Sequence, residues 1–130
     1  MGFIFNTASL TKLGLVHPDL QKIMNLAVKK SPLGLLVLEG MRTVERQRVL
    51  FLHHATTTMH SRHLTGHAVD VAPLVGGTVR WDWPLYYQIA PVIKAAAKEL
   101  NIPIEWGGDW KTFKDGPHWQ LPFKEYPDGK

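Results

Sequence analysis

Apolar positions follow helical spacing in two stretches of the chain, and these predict the main helices. One stretch begins at Pro18, a residue that suits a first helical turn, and the other begins after a capping residue, Asp82. Pro91 should bend the second helix or separate its first turn. The predicted buried faces consist of Leu20, Ile23, Met24, Ala27 and Val28 in the first helix, and of Ile89, Val92, Ile93, Ala96, Ala97 and Leu100 in the second.

Short apolar or alternating runs between these helices predict strands, and Thr43 predicts a third helix that continues to Leu52. The predicted strands cover residues 35–39, 68–72, 78–81, 102–106 and 118–121. Together these elements predict an α+β fold, a small and largely antiparallel sheet with helices packed on one side and around its edges.

The two ends of the chain lack strong periodicity. Residues 1–16 read as a loosely structured lead from which Leu10, Leu13 and Leu15 can dock on the body, and residues 122–130 read as a mostly exposed tail. The expected organisation is therefore one domain over residues 1–130, with no linker or internal repeat.

Composition limits the possible functions without naming one. Apolar residues make up 45% of the 130 positions and charged residues 20%, as in ordinary soluble globular proteins. The net charge of +4 favours polyanions, but the basic residues are dispersed, so we expect no dedicated nucleic-acid site. The chain has no cysteine and no apolar run of membrane-spanning length, which excludes disulfides and predicts no membrane insertion.

The strand at residues 68–72 carries one candidate metal ligand, and a histidine just before the strand is another. Alternation places Asp70 on one strand face between two small alanines, and places His67 on the opposite face with the valines. Small neighbours leave space beside the carboxylate for a metal ion and a substrate. The pattern therefore selects His63 and Asp70 as ligands and leaves His67 out.

A later Asp-Gly-Pro-His turn offers a third ligand and a base. His118 is the best third ligand because Asp115 stands three residues before it. Two histidines and an aspartate, with a fourth position open, suit a catalytic zinc site. The Asp115 carboxylate can then deprotonate a water whose pKa the metal lowers towards about 7.

Several other residues allow both a functional and a structural interpretation. Arg42 follows a buried strand, where its guanidinium can bind a carboxylate or a carbonyl oxygen, yet the segment alone favours a surface arginine. Gln47 can support Arg42, contact substrate or lie on a helix surface. Tyr86 and Tyr87 can line a cleft, but packing in the core or at its boundary is the favoured interpretation.

Three more histidines, His53, His54 and His60, flank a threonine-rich loop over residues 55–59. Such a tract can bind metal adventitiously, but nothing in it fixes a coordination geometry. We therefore interpret all three histidines as solvated loop residues.

The candidate site resembles a known family in its motifs. The chain is similar to the zinc D-alanyl-D-alanine peptidases and L-alanyl-D-glutamate peptidases. It resembles more closely the single-domain phage endolysins that are L-alanyl-D-glutamate peptidases. The likeness runs nearly end to end, through an opening Phe-x-Phe-Asn and residues 17–22, 39–43 and 106–110. Its metal motif consists of Ser61, His63, Gly66, Ala68 and Asp70, with Asp115 and His118 downstream.

The resemblance implies roles for these residues. It implies one zinc ion on His63, Asp70 and His118, with Asp115 as general base. It also implies that Arg42 binds or polarises the substrate, and the expected substrate-binding set is completed by the residues Gln47 and Ser61. The vancomycin-resistance dipeptidase branch carries glutamate where this chain has Asp115, so the sequence favours the endolysin branch.

The resulting hypothesis is a zinc metallopeptidase that cuts peptidoglycan stem peptides between L-alanine and D-glutamate. The alternatives are a D-alanyl-D-alanine carboxypeptidase or dipeptidase, and a zinc-stabilised wall-binding module without catalysis. We expect a monomer without a separate wall-binding domain. Because the N-terminus lacks a signal-peptide pattern, we expect synthesis in the host cytoplasm and access to the wall after membrane permeabilisation.

Overall fold

Helices and an antiparallel sheet form an α+β fold in the computed structural model, which describes residues 2–53 and 61–127. The helices are α1 (Thr7–Leu13), α2 (Pro18–Lys30), α3 (Val44–Leu52) and α4 (Trp83–Glu99). The strands are β1 (Gly34–Glu39), β2 (Ala68–Val75), β3 (Thr78–Val79), β4 (Glu105–Trp106) and β5 (His118–Gln120). Two short 3-10 helices span Arg62–Thr65 and Gly107–Asp109. The predicted fold class is confirmed.

The sheet is built around its two inner strands, β2 and β5. The strand order is β1-β2-β5-β4, every pairing is antiparallel, and β3 forms a hairpin with the far end of β2. In β5, Trp119 lies opposite Val69 and stacks on Trp106 of β4, with ring centroids 5.6 Å apart. This apolar contact fixes how β5 lies between its neighbours.

Helices α2 and α4 supply most of the core that covers one face of the sheet. The predicted α2 stripe is fully confirmed as buried. In α4 the buried face is shifted slightly from the prediction, because Tyr86 and Ala90 join it while Val92 is half-buried and Leu100 is exposed. The helix runs without interruption through Pro91, so the prediction of a separated first turn is wrong.

The N-terminal segment is more regular than predicted. Asn6 accepts a hydrogen bond from the Ser9 backbone N–H at 2.8 Å and caps α1, which the sequence prediction treated as a loose lead. Leu13 docks in the core as expected, whereas Leu10 and Leu15 are exposed. The sequence did not predict α1 because the helix is short and its apolar positions repeat too weakly to indicate a helix.

The C-terminal segment is also more firmly held than predicted. The buried Arg62 guanidinium donates to the carbonyl oxygens of Leu121 and Tyr126, at 2.9 and 2.6 Å. The Tyr126 hydroxyl in turn donates to Asp19 of α2 at 2.6 Å. The segment up to Tyr126 is therefore attached to the body, although most of its residues are exposed as predicted.

The threonine-rich loop, with His54 and His60, lies outside the described residues. His53 follows α3 and is exposed, as expected. No helix within residues 2–53 and 61–127 is long and apolar enough to cross a bilayer.

Replacement of Ile23 by alanine should destabilise the protein, because this side chain of α2 is fully buried in the hydrophobic core. We expect a loss of about 2 to 5 kcal/mol in the free energy of unfolding, from lost burial and the cavity left behind. Chemical denaturation measures it. The exposed neighbour Asn25→Ala is the control, and it should change stability by no more than ~0.5 kcal/mol. A small effect at Ile23 would contradict the core assignment.

Candidate metal centre

Strand pairing brings two of the predicted ligands together. Asp70 of β2 lies directly opposite His118 of β5, and the 3-10 helix that precedes β2 places His63 beside them. The Asp70 Oδ1 atom is 3.1 Å from His63 Nε2 and 3.4 Å from His118 Nδ1. One candidate ligand atom from each residue lies within 4.8 Å of the other two. The structure thus gathers the three residues that the sequence singled out.

His63 is aimed at the cluster by its backbone surroundings. Ser61 caps the 3-10 helix by accepting from the His63 backbone N–H at 3.2 Å, and Gly66 ends the helix in a left-handed conformation, with φ of 76°. His63 Nδ1 is 2.8 Å from the Gly40 carbonyl oxygen, which can only accept a hydrogen bond. Nδ1 therefore carries a proton, and Nε2 is the ring nitrogen that faces the cluster and is placed to bind a metal ion.

His118 is oriented in the same way by a residue that the sequence reasoning missed. Its Nε2 atom is 2.8 Å from Gln120 Oε1, so that Nε2 donates and Nδ1 is left to face Asp70. The Gln120 amide nitrogen in turn donates to Glu105 at 3.1 Å. A signal was available, since Gln120 stands two residues after His118 and therefore on the same strand face.

The charge of Asp70 is stabilised by the two rings. Burial acts to raise the pKa of the Asp70 carboxyl, but hydrogen bonds with His118 and His63 outweigh burial and hold the pKa well below its usual range. The pKa of His118 is raised, because its contact with Asp70 outweighs burial, which acts to lower it. The cluster thus presents an anionic carboxylate that attracts positive charge.

Asp115 is held next to the cluster by the turn that leads into β5. Its carbonyl oxygen accepts from the His118 backbone N–H at 3.2 Å, and its own N–H donates to Gly107 at 3.1 Å. A side chain at Gly107 would collide with the Asp115 backbone, so glycine is required for this close approach. Burial, followed by the negative charge of Asp70, raises the pKa of the Asp115 carboxyl. The tight turn predicted from the sequence is confirmed.

Arg42 and Gln47 are buried beside the cluster, so the interpretation of either as a surface residue is wrong. The Arg42 Nη1 atom donates to Gln47 Oε1 at 2.6 Å, and the backbone N–H of Arg42 donates to the His63 carbonyl oxygen at 2.9 Å. Gln47 therefore supports Arg42, one of the alternatives left open by the sequence. Arg42 also pairs with Glu39, which the sequence reasoning did not select.

Aromatic rings line the other side of the centre. The half-buried Trp110 ring lies against His118, with centroids 5.1 Å apart. Tyr86 is buried and its ring packs on Gly116, between Asp115 and His118 in sequence. Burial and the nearby Asp115 charge raise the pKa of Tyr86 to about 12, so that its hydroxyl remains protonated.

His67 lies outside the cluster, as the strand alternation predicted. Its Nδ1 atom is 2.7 Å from the Thr65 hydroxyl, and its ring packs near His17 and Tyr126. This histidine therefore belongs to the contacts that hold the C-terminal segment.

The donor set fits a divalent transition metal. Two imidazole nitrogens and one carboxylate converge, and the Asp70 carboxyl stays ionised. The second nitrogen of each ring forms a hydrogen bond with an oxygen atom. Histidine and carboxylate ligands suit zinc in particular. The arrangement can hold a Lewis acid with a carboxylate, Asp115, and a guanidinium, Arg42, at its side.

The chain was compared with known families, curated proteins and solved structures. Residues 1–120 match the phage L-alanyl-D-glutamate peptidase family. The L-alanyl-D-glutamate peptidase of Escherichia phage T5 is 32% identical over 120 residues, which cover 88% of this chain and 87% of that protein.

Solved structures are similar as well. Serratia marcescens L-Ala D-Glu endopeptidase ChiX is 49% identical, with a TM-score of 0.89 over 95% of this chain and 94% of that one. The vancomycin-resistance D,D-dipeptidase VanXYg, at 18% identity and a TM-score of 0.55 over 82% of this chain and 50% of that one, shares the fold alone. The chain therefore belongs to the phage L-alanyl-D-glutamate peptidase family.

Proposed function

We propose that this protein is a zinc-dependent endolysin that hydrolyses the bond between L-alanine and D-glutamate in peptidoglycan stem peptides. The observation that carries the proposal is the convergence of His63, Asp70 and His118, with Asp115 in the adjoining turn, in a chain of this family. An ionised carboxylate and two oriented imidazoles are suited to a metal-assisted hydrolysis.

In this proposal His63, Asp70 and His118 hold one zinc ion. When bound, zinc polarises the scissile carbonyl and lowers the pKa of the attacking water. The contacts of His63 with Gly40 and of His118 with Gln120 keep each ring in the tautomer that offers a lone pair to the cluster. The protein thus supplies a site that is organised before the substrate arrives.

Asp115 acts as the general base. Its place in the turn before His118 puts a carboxylate beside the metal centre without making it one of the three clustered ligands. The carboxylate takes a proton from the attacking water and passes that proton to the amine that leaves as the peptide bond breaks. The reaction needs no covalent intermediate with the enzyme.

Arg42 binds the substrate or stabilises the negative charge that develops on the carbonyl oxygen. Its guanidinium is buried beside Asp70, at 4.0 Å from Oδ2, and Gln47 supports it. The substrate-binding role of Ser61 is supported by the sequence motif alone. In the structure the Ser61 hydroxyl caps the helix that carries His63.

We propose that the protein acts as a monomer of one domain, since all the residues of the centre come from a single chain. Its partner is the peptidoglycan stem peptide, and passage to the wall depends on membrane permeabilisation by another protein. The dispersed basic residues support contact with an anionic wall and not a nucleic-acid site.

Product analysis on purified peptidoglycan tests the function. The zinc-loaded protein should release a new L-alanine carboxyl end and a free D-glutamyl amine, identified by mass spectrometry and amine labelling. Removal of zinc by a chelator should abolish this cleavage, and added zinc should restore it. Released D-alanine would instead indicate the D-alanyl-D-alanine peptidase activity, and the absence of products would indicate a non-catalytic wall-binding module.

Replacement of Asp115 by asparagine should separate the base from the ligands. Asparagine keeps the size of the side chain but removes its basic carboxylate, so zinc content should stay unchanged while turnover falls ~10²- to 10⁴-fold. His118→Ala should lose both zinc and activity. Zinc content and stem-peptide cleavage are to be measured on the same folded samples.

The matched control is Asp109→Asn. Asp109 is exposed and pairs with Lys94 at 2.7 Å, so its charge should not be needed for turnover. Near wild-type turnover in Asp115→Asn would show that the base lies elsewhere. Loss of zinc in Asp115→Asn would make Asp115 a ligand.

Replacement of Gln120 by leucine should weaken zinc binding without removing a ligand. Without the amide oxygen, the tautomer and the orientation of His118 are no longer fixed, and the expected loss of zinc affinity is ~10- to 100-fold. Competition with a chromophoric chelator measures it. Gln88→Leu, on the exposed side of α4, is the control. Unchanged affinity in Gln120→Leu would show that His118 is oriented by its backbone alone.

A further inference from the structure

A β-bulge places Glu39 on the same side of the sheet as the metal centre. Along β1, Val37 lies opposite Val71 of β2. The residue opposite Asp70, the neighbouring position of β2, is Glu39 and not Leu38. In a regular strand Glu39 would share the core face of Val37, whereas residues paired across two strands share a face. The bulge thus turns an acidic side chain from the apolar core towards Asp70.

Glu39 holds the Arg42 guanidinium through two hydrogen bonds. Arg42 Nε donates to Oε2 at 2.9 Å and Nη2 donates to Oε1 at 2.6 Å, while Gln47 takes a hydrogen bond from Nη1. The Arg42 side chain is only 8% exposed. Two-point contact between a planar guanidinium and a carboxylate fixes the orientation of both groups, and a third contact prevents rotation of the guanidinium plane.

The alternative partner of Arg42 is Asp70. Its Oδ2 atom is already 4.0 Å from Arg42 Nη2. Without Glu39, the buried guanidinium would be drawn to Asp70, because an unpaired buried charge is costly. An arginine bound to Asp70 would compete with a metal ion for that carboxylate and would leave its place beside the substrate.

We propose that Glu39 is a positioning residue that keeps Arg42 away from Asp70 and directed at the substrate. This inference rests on the proposed peptidase function. Glu39 itself acts only through Arg42. Each terminal nitrogen of Arg42 has a second N–H group beyond the one bound to Glu39 or Gln47, and these second groups can contact the substrate.

A double-mutant cycle between Glu39→Gln and Arg42→Ala tests the proposal. Glu39→Gln should lower zinc affinity about tenfold, because Arg42 then turns to Asp70, and the double variant should recover the affinity of Arg42→Ala. At saturating zinc, Glu39→Gln should lower kcat/KM for a stem peptide ~10- to 100-fold, the range expected for a misplaced positioning group. In the Arg42→Ala background it should cause no further loss. Glu45→Gln, an exposed glutamate on α3, is the matched control.

Two results would overturn the proposal. The first is wild-type zinc affinity and kcat/KM in folded Glu39→Gln, which would limit Glu39 to a contribution to stability. The second is a loss that persists undiminished when Arg42 is already absent, which would mean that Glu39 acts directly on the substrate or the metal. If Glu39→Gln does not fold, Glu39→Asp replaces it in the same cycle. The zinc titrations need no substrate, so a wild-type protein that cleaves nothing would refute the peptidase function separately.

Discussion

The antiparallel pairing of Asp70 with His118 is the constraint on which the centre depends. The register of β2 against β5 is set on the opposite face, where Val69 and Trp119 are buried, and it is extended by a hydrogen bond from Val71 to Pro117 at 2.8 Å. A slip of one residue would move Trp119 out of the core and Asp70 away from His118 together. Core packing therefore specifies the ligand geometry, and the site needs no separate device to fix it.

The centre also concentrates charge that the fold alone does not balance. Asp70 is kept ionised by two histidines, and its charge in turn raises the pKa of the Asp115 carboxyl. Two carboxylates in one partly buried site repel each other, and a cation between them relieves that repulsion. The same electrostatic arrangement that disfavours the metal-free state thus favours metal binding.

The sequence predicted the three clustered residues because each lies in a recognisable segment. His63 stands just before a predicted strand, Asp70 lies within the alternation of that strand, and His118 follows an Asp-Gly-Pro-His turn. It predicted the long helices for the same reason, since their apolar period is strong. It did not select Glu39 or Gln120, two of the residues that orient the site. Glu39 reaches the centre only through a bulge, and a bulge has no periodic signature. Likewise, α1 is held to β1 through Ser9, and the C-terminal segment is held through Arg62. No local pattern reports such distant contacts.

These orienting contacts determine which parts of the centre are rigid. The backbone N–H of Arg42 donates to the carbonyl oxygen of His63, and the Gly40 carbonyl receives the ring of His63, so the segment after β1 and the 3-10 helix hold each other at two points. Segments that connect the long helices and strands are ordinarily the mobile parts of a fold. The segment after β1 and the 3-10 helix, however, carry buried side chains and paired backbone groups. His63 and Arg42 are therefore fixed relative to each other before any substrate binds. A site built in this way can use the binding energy of its substrate for the reaction instead of for ordering its own side chains.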